Sequence, residues 1–245
     1  LLLDTKDWRV LKELVFNVRQ PISQIAKKCL LSRQSVEYRL KLLEKNNLLI
    51  GSRSVINIRK LGYSSYHVFI EVHTPEQEKE ILHRAQKAAY VNAIIVYSGR
   101  YNLEISIMAR SNEEFLQYYH QLINDVRIRD DHVLVLLDTI CAQVLPVKYF
   151  PVMKETTPLR FDLLASKKRV PKAEPAVDHT DLKLLYLLSQ DAVRTNVSMA
   201  QELGISKDTV IYRLRRLEQQ GYIIEFRPVV NYSTLGLAIN SVLLK

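Results

Sequence analysis

The feature that most constrains the fold is an internal repeat with a spacing of 174 residues. The stretch "SRQSVEYRLKLLE" begins at Ser32, and "SKDTVIYRLRRLE" begins at Ser206. A gap-free alignment of residues 3–63 with residues 177–237 has identical residues at 18 of its 61 positions. A repeat of this length indicates one structural module present twice, so both segments are predicted to share a fold.

Each copy has the pattern of three helices followed by a hairpin. Asp4 or Asp7 can begin the first helix, and Ser32 and Ser206 are good N-caps for the third helix. The short second helices and the hairpins are expected at residues 22–29 and 48–58 in the first copy and 197–203 and 222–232 in the second. Three helices and a wing in this order predict a winged helix-turn-helix.

The outward face of the third helix predicts what the module does. Val36, Leu40 and Leu43 form the apolar stripe, and at about 100° per residue the opposite side is polar and aromatic. Such a face can lie in the major groove and read base edges, while flanking basic residues hold phosphates. The predicted DNA-binding residues are Ser32, Arg33, Gln34, Glu37, Tyr38, Lys41, Lys45 and Arg53, and in the second copy Ser206, Lys207, Asp208, Tyr212, Arg215, Gln219 and Arg227. The alternative is a solvated helix face in a three-helix packing module.

The positive charge of the chain, +9 overall, is concentrated in the first copy. Residues 1–62 hold 13 basic and 5 acidic side chains, a net +8, whereas residues 177–245 hold 8 and 7, a net +1. Because phosphate neutralisation supplies most non-specific affinity, the first copy is expected to bind DNA more strongly. The second copy is expected to bind weakly or mainly to contact protein.

Cysteine usage and hydropathy predict a cytoplasmic protein without a membrane partner. Cys29 and Cys141 are the two cysteines, and neither belongs to a CxxC or Cys/His cluster, so no disulfide or zinc site is expected. No apolar run reaches the roughly 18 residues that a membrane span needs, and no signal peptide is evident. No pattern of catalytic residues, metal ligands or a phosphate-binding loop is evident, and we expect no cofactor.

Residues 63–150 follow the pattern βαββαβ, which is typical of a ferredoxin-like domain. The expected strands are residues 66–72, 91–99, 101–109 and 132–145, and the expected helices are residues 75–90 and 111–126. Gly99 is expected to permit a tight turn between the second and third strands. Apolar residues at both parities of the second and fourth strands indicate burial on both faces, so dimerisation is expected here.

The remaining segments are a linker and a second, incomplete copy. The predicted fold class is therefore α+β, with a winged helix-turn-helix at 1–62, a ferredoxin-like domain at 63–150, a linker at 151–176, a second winged helix-turn-helix at 177–240 and the start of a second sheet domain at 241–245. The linker holds four prolines and a basic cluster that could touch DNA. Residues 241–245 are assigned because "SVLLK" aligns with "HVFIE" of the first copy.

The order of a winged helix ("LDTKDWRVLKEL" to "INIRKLGY") followed by βαββαβ resembles the leucine-responsive regulatory protein/AsnC family. The stretch "SGRYNLEI" resembles the Gly-x-x-Asp turn of that family, with Asn102 at the acidic position. The resemblance implies regulation of transcription on double-stranded DNA by homodimers or higher oligomers that assemble through the sheet domain. It also implies an amino acid or other small-molecule effector, for which the candidate residues are Gly99, Arg100, Tyr101 and Asn102.

Two other classes of function remain open from the sequence. Sirohaem decarboxylases resemble the same arrangement and act in the sheet domain, where His67 and His73 share a strand parity and could face one cavity. The simpler interpretation places both histidines at the surface or in an interface. A protein-interaction adaptor that uses winged helices for docking is the other alternative.

Overall fold

A computed structural model of the chain describes residues 3–137, 144 and 177–238. The described residues form two compact units, one from residues up to Asn57 together with those from 144 onward, and one from Ile58 onward to 137. The predicted linker 151–176 and the predicted sheet segment 241–245 lie outside the described residues. Within the described ranges, no helix is both long and apolar enough to cross a membrane.

Eight α-helices and six strands are described along these ranges, together with short 3-10 helices at Ile58–Leu61 and Tyr232–Leu235. In chain order they are α1 (Thr5–Phe16), α2 (Ile22–Cys29), α3 (Arg33–Lys45), β1 (Leu49–Ile56), β2 (Ser64–Val72), α4 (Pro75–Lys87), β3 (Val91–Val96), β4 (Leu103–Ala109), α5 (Asn112–Ile123), β5 (Ile128–Val135), α6 (His179–Gln190), α7 (Asn196–Leu203), α8 (Lys207–Gln219) and β6 (Ile223–Val230).

The predicted helix starts are confirmed by their hydrogen bonds. Asp4 caps α1 by accepting from the Asp7 backbone N–H at 2.7 Å, and Asp7 returns the bond, which completes a capping box. Ser32 accepts from the Ser35 N–H at 3.1 Å, and Ser206 caps α8 in the same way. The same polar spacing therefore begins the same helices in both copies.

Each copy contributes one strand rather than the predicted hairpin, and these two strands pair with each other. The hairpin prediction for residues 48–58 and 222–232 is therefore wrong. β1 and β6 run antiparallel with Arg53 opposite Arg227, which are equivalent residues of the repeat because 53 + 174 = 227. A single strand has unpaired backbone N–H and C=O groups along both edges, and the equivalent strand supplies one set of partners.

Reciprocal hydrogen bonds confirm a pseudo-twofold axis between Arg53 and Arg227. Each bond from the first copy to the second has a counterpart from the second copy to the first. The counterpart joins the residues that lie 174 positions away in the repeat. The pairs are Val18 N to Phe226 O (3.1 Å) with Ala192 N to Ser52 O (3.4 Å), and Asn57 N to Tyr222 O (2.8 Å) with Asn231 N to Leu48 O (2.8 Å). Accordingly α1 packs against β6 and α6 against β1. The two copies thus form an intramolecular pseudo-dimer with a shared core.

The other unit has the predicted ferredoxin-like topology. Its strands are antiparallel in the order β3-β4-β2-β5, and the buried core of Ile70, Ile81, Ile105 and Leu122 joins the sheet to α4 and α5. The last strand begins at Ile128 rather than 132 and ends at Val135, and residues 138–143 and 145 of the predicted strand lie outside the described residues.

The connection between β3 and β4 differs from the predicted tight turn. It extends over residues 97–102, and Gly99 is not in the left-handed backbone region. The connection is longer because Tyr97 N donates to Asn102 O at 2.7 Å and Asn102 N donates to Ile70 O at 2.9 Å. These bonds fix both ends of the loop, and Ser98, Gly99 and Arg100 between them are exposed.

Candidate nucleic-acid interface

The outward faces of α3 and α8 are open to solvent. Tyr38 and Tyr212, at equivalent positions in the centre of each face, are 66% and 65% exposed. The other predicted residues on these helices are exposed as well, apart from half-buried Glu37. The exposed set is Arg33, Gln34, Lys41 and Lys45 in α3, and Lys207, Asp208, Arg215 and Gln219 in α8. Nothing in the described chain packs against these faces.

The opposite side of each helix is fixed by packing and by partly buried ion pairs. Of the predicted apolar stripe of α3, Val36 and Leu43 are buried and Leu40 is half-buried. Arg39 extends from α3 to the capping box of α1, where its Nη1 lies 2.8 Å from Asp4 Oδ1 and 2.5 Å from Asp7 Oδ1. Arg213 makes the equivalent contacts with Asp178 and Asp181. These ion pairs orient α3 and α8 and hold both guanidinium groups against the first turns of α1 and α6.

The turn between α2 and α3 has the same backbone shape in both copies. Leu30 has φ of 54°, and the equivalent Gly204 has φ of 64°, so both are in the left-handed region. This conformation ends the second helix and reverses the chain before the third. Lys27, which the site prediction omitted, is exposed just before this turn. The sequence feature that could have drawn attention to Lys27 is the basic pair "KK" in the last turn of α2.

The predicted phosphate contacts differ in their availability. Arg53 is exposed on β1, whereas Arg227 forms an ion pair with Glu225 and its side chain is 18% exposed. Arg33 is exposed but lies 2.8 Å from Glu37 in an i, i+4 pair, which is weak and easily exchanged for a phosphate. The hydroxyl oxygens of Ser32 and Ser206 accept the capping bonds, and the Ser206 hydroxyl also lies 2.8 Å from Thr209 Oγ1. Arg227 could reach a phosphate only after leaving Glu225.

The residues predicted to hold an effector lie together in the loop between β3 and β4. The side chains of Arg100 and Asn102 are already bound to other groups of the protein. Arg100 Nη2 lies 2.9 Å from Asp130 Oδ2, and its guanidinium lies over the Tyr101 ring at 5.4 Å. Asn102 Oδ1 accepts from the Val72 N–H at 3.1 Å. Effector binding by Gly99, Arg100, Tyr101 and Asn102 remains a prediction.

A polar chain on the face of the sheet opposite α4 and α5 was not predicted. His67 Nδ1 lies 2.6 Å from Glu104 Oε1, and Ser65 Oγ lies 3.2 Å from His67 Nε2 and 2.9 Å from Ser106 Oγ. The bond from His67 holds the pKa of Glu104 below its ordinary value although burial opposes this. His73 lies beyond the end of β2 and is exposed. In the described ranges, no group of His, Cys, Asp and Glu could hold a metal ion.

Sequence comparison places a known domain family on both copies. The winged helix-turn-helix DNA-binding family matches residues 3–50 and again residues 177–224. The two matched ranges contain the three helices of each copy and the first residues of its strand.

Two relatives extend this similarity. The proline dehydrogenase transcriptional activator of Rhizobium radiobacter is 41% identical over 61 residues, which is 25% of this chain and 39% of that protein. The transcriptional regulator LrpA of Pyrococcus horikoshii is 30% identical over 113 residues, which is 46% of this chain and 80% of LrpA. The chain therefore spans about two fifths of the first relative and four fifths of the second.

Solved structures show where the same fold occurs. AsnC of E. coli superposes with a TM-score of 0.51 at 20% identity, covering 58% of this chain and 97% of AsnC. The siroheme decarboxylase NirDL superposes with a TM-score of 0.57 at 14% identity, covering 91% of this chain and 65% of NirDL. At these identities the likeness establishes the fold alone.

Proposed function

The chain belongs to the leucine-responsive regulatory protein/AsnC family of transcription regulators, and on that basis we propose that it binds double-stranded DNA through α3 and α8. The observation that carries the proposal is the pair of exposed, matched faces on helices whose other sides are buried. A helix of 13 residues, as in α3, is long enough to lie in the major groove with several side chains at base edges.

The two faces would read different sequences. The position of Gln34 in α3 is occupied by Asp208 in α8, and the position of Glu37 is occupied by Ile211. Gln pairs well with adenine, whereas an acidic side chain accepts from cytosine, so equivalent positions favour different bases. We therefore expect two unlike half-sites rather than a palindrome beneath one chain.

The test of DNA binding is fluorescence anisotropy on genomic duplex fragments over a range of salt concentrations. Lys41→Glu and Arg215→Glu each replace an exposed positive charge by a negative one, and each should weaken binding about tenfold or more if its helix contacts DNA. The first copy carries most of the positive charge, so the larger loss is expected for Lys41→Glu. Equal losses would mean that both helices contribute equally.

The matched control is Lys79→Glu, which makes the same charge change on the exposed side of α4. Affinity should be nearly unchanged in this variant, because Lys79 is not on a recognition helix. Binding that does not depend on salt, or that weakens equally in all three variants, would contradict the proposal. The adaptor interpretation would then be preferred.

We also propose that the sheet domain does not catalyse a reaction. Ser65, His67 and Glu104 form the only chain of this kind that we find in the described ranges, and Ser65 is buried with its hydroxyl shared with Ser106. A buried, shared hydroxyl is poorly placed to attack a substrate, and both ring nitrogens of His67 lie within hydrogen-bond distance of Glu104 and Ser65 rather than facing an open site. Decarboxylation of a tetrapyrrole by the purified protein would contradict this.

The sheet domain is further proposed to form a homodimer. Five consecutive apolar residues, from Val133 to Leu137, are exposed at the end of the edge strand β5 and just beyond it. Monomeric proteins rarely leave an apolar run of this kind on an unpaired strand edge. A second copy of the chain, pairing there, would cover the run and bring four recognition helices into one assembly.

A further inference from the structure

A cavity of about 760 Å³ lies in the pseudo-dimer, between the first copy and the loop that joins α6 to α7. Its apolar floor includes Leu14, Ile25 and Leu40 of the first copy. Its wall includes Glu44 and Val193, together with Arg19 and Arg194. The volume is in the range of small-molecule sites. The proposed DNA contacts on the outer faces of α3 and α8 do not use this cavity.

The equivalent groove in the second copy is filled by a side chain from the first. Arg19 Nη1 donates to the backbone carbonyls of Ala192 at 2.6 Å and Arg194 at 3.1 Å, and Nη2 donates to Asn196 Oδ1 at 3.0 Å. The guanidinium also lies 5.3 Å from the centroid of the Phe226 ring. The charge of Glu218 favours the cation, although desolvation lowers the pKa of Arg19 overall.

The pseudo-twofold axis relates these acceptors to groups that line the cavity. Subtracting 174 converts Ala192 and Arg194 into Val18 and Gln20, both of which line the cavity. The same operation converts Glu218 into Glu44, whose carboxylate has no hydrogen bond or ion pair within the described chain.

The side chain that would fill the cavity is missing from the repeat. The equivalent of Arg19 is Val193, which is too short to reach the carbonyls of Val18 and Gln20. Ser52 stands where the second copy has Phe226, and it leaves further room. One groove is therefore occupied by an arginine of the chain itself. The cavity is also lined by Arg19 and Arg194, but Arg19 bonds to the carbonyls of Ala192 and Arg194, and Arg194 pairs with Glu202, so that Glu44 keeps no cationic partner within the described chain.

We propose that this cavity binds a small organic cation, with a guanidinium group at the Glu44 end and a short apolar stem along the Leu14 and Ile25 floor. An arginine side chain occupies the related groove, so the free ligand is of the alkylguanidine class. Ile22 stands where Asn196 supplies an acceptor, which makes the first groove more apolar and suited to the stem.

The position of the ligand gives it a regulatory consequence. It would contact α1, α2 and α3 of the first copy and the loop of the second, so its binding would stabilise the paired arrangement of the two copies. Any change in the spacing of α3 and α8 would then be coupled to occupancy. This site is separate from the loop at Gly99–Asn102.

The test is calorimetric titration of the full chain with agmatine and with arginine, with citrulline as a control whose ureido group is uncharged. Agmatine or arginine should bind measurably, while citrulline should bind at least tenfold more weakly. Glu44→Gln should weaken agmatine binding roughly tenfold without affecting folding, because Glu44 is exposed and unpaired in the described chain.

The decisive variant is Val193→Arg, which supplies the missing side chain. It should raise the melting temperature and abolish agmatine binding, whereas Val193→Leu should retain it. Undiminished agmatine binding to Val193→Arg, or no binding of either cation by the wild type at millimolar concentration, would overturn the proposal. DNA affinity of the same samples, measured without ligand, reports separately on the recognition helices.

Discussion

Leu30 holds a backbone conformation that suits glycine better than leucine. Its φ is 54°, its side chain is 84% exposed, and the second copy has Gly204 at the same place. Left-handed backbone costs a residue with a Cβ about 1–2 kcal/mol, of which the extra freedom of unfolded glycine offsets about half. Leu30→Gly should therefore raise the free energy of unfolding by about 0.5–1 kcal/mol, measured by urea denaturation.

The matched reverse change is Gly204→Leu, which should lower the free energy of unfolding by a similar amount. A Cβ at Gly204 would meet no atom within 4 Å, so the loss should come from the backbone conformation rather than from a clash. Equal stability of both variants and the wild type would show that the turn relaxes around the side chain.

At the scale of single residues, the sequence predicted which side chains of the helices face outward. It did not predict which side chains bond to each other. The helical period placed Tyr38 and Lys41 outward, because side-chain direction follows from local geometry. The repeat also marked Arg39 as identical in both copies, but its bond to Asp7 depends on how α1 crosses α3. Arg227 was predicted to contact DNA, and the nearby Glu225 gives it a partner within the chain that spacing alone did not indicate.

At the scale of elements, the strand pairing between copies makes a sharp prediction about proline. Pro228 has no N–H and lies opposite Ser52 in the β1–β6 ladder, and Ser52 O and Phe226 O accept bonds from outside it. Ser52 in β1 and Phe226 and Pro228 in β6 therefore direct their backbone groups away from the opposite strand. Ser54, the equivalent of Pro228 in the repeat, does the same. Alternation directs the backbone groups of Val55 toward β6.

Val55→Pro should therefore remove a ladder hydrogen bond and lower the free energy of unfolding by about 1–3 kcal/mol. Ser54→Pro should cost much less, because its position tolerates proline in the second copy. Both are measured by thermal unfolding of the full chain. A larger loss from Ser54→Pro than from Val55→Pro would contradict the deduced direction of the ladder.

The elements themselves were largely predictable, and their pairing was not. The bounds of α2 agree with the predicted 22–29, because capping and apolar period are local signals. The strand at 49–56 was also recognised, but a strand pattern does not say which edge its hydrogen bonds join. A hairpin and an exchange with a distant copy bury the same residues, so only tertiary structure distinguishes them.

At the scale of the whole molecule, the proposed homodimer depends on the exposed edge of β5. Leu134→Lys places a charge in the apolar run and should shift the assembly toward the monomer, because burying an unpaired charge is costly. Sedimentation velocity at several concentrations measures the change. The control is Leu116→Lys on the exposed side of α5, which should leave the sedimentation coefficient unchanged. A wild type that sediments as a monomer would contradict the homodimer.

The pairing of β1 with β6 also delays folding during synthesis, because β1 cannot pair until β6 has been synthesised. The strands are 174 residues apart, and at synthesis rates of about 5–20 residues per second the first strand waits roughly 9–35 s for its partner. During this interval the β6 strand of a neighbouring nascent chain offers the same hydrogen bonds. We therefore expect closely spaced ribosomes on one message to increase how often two chains exchange this strand.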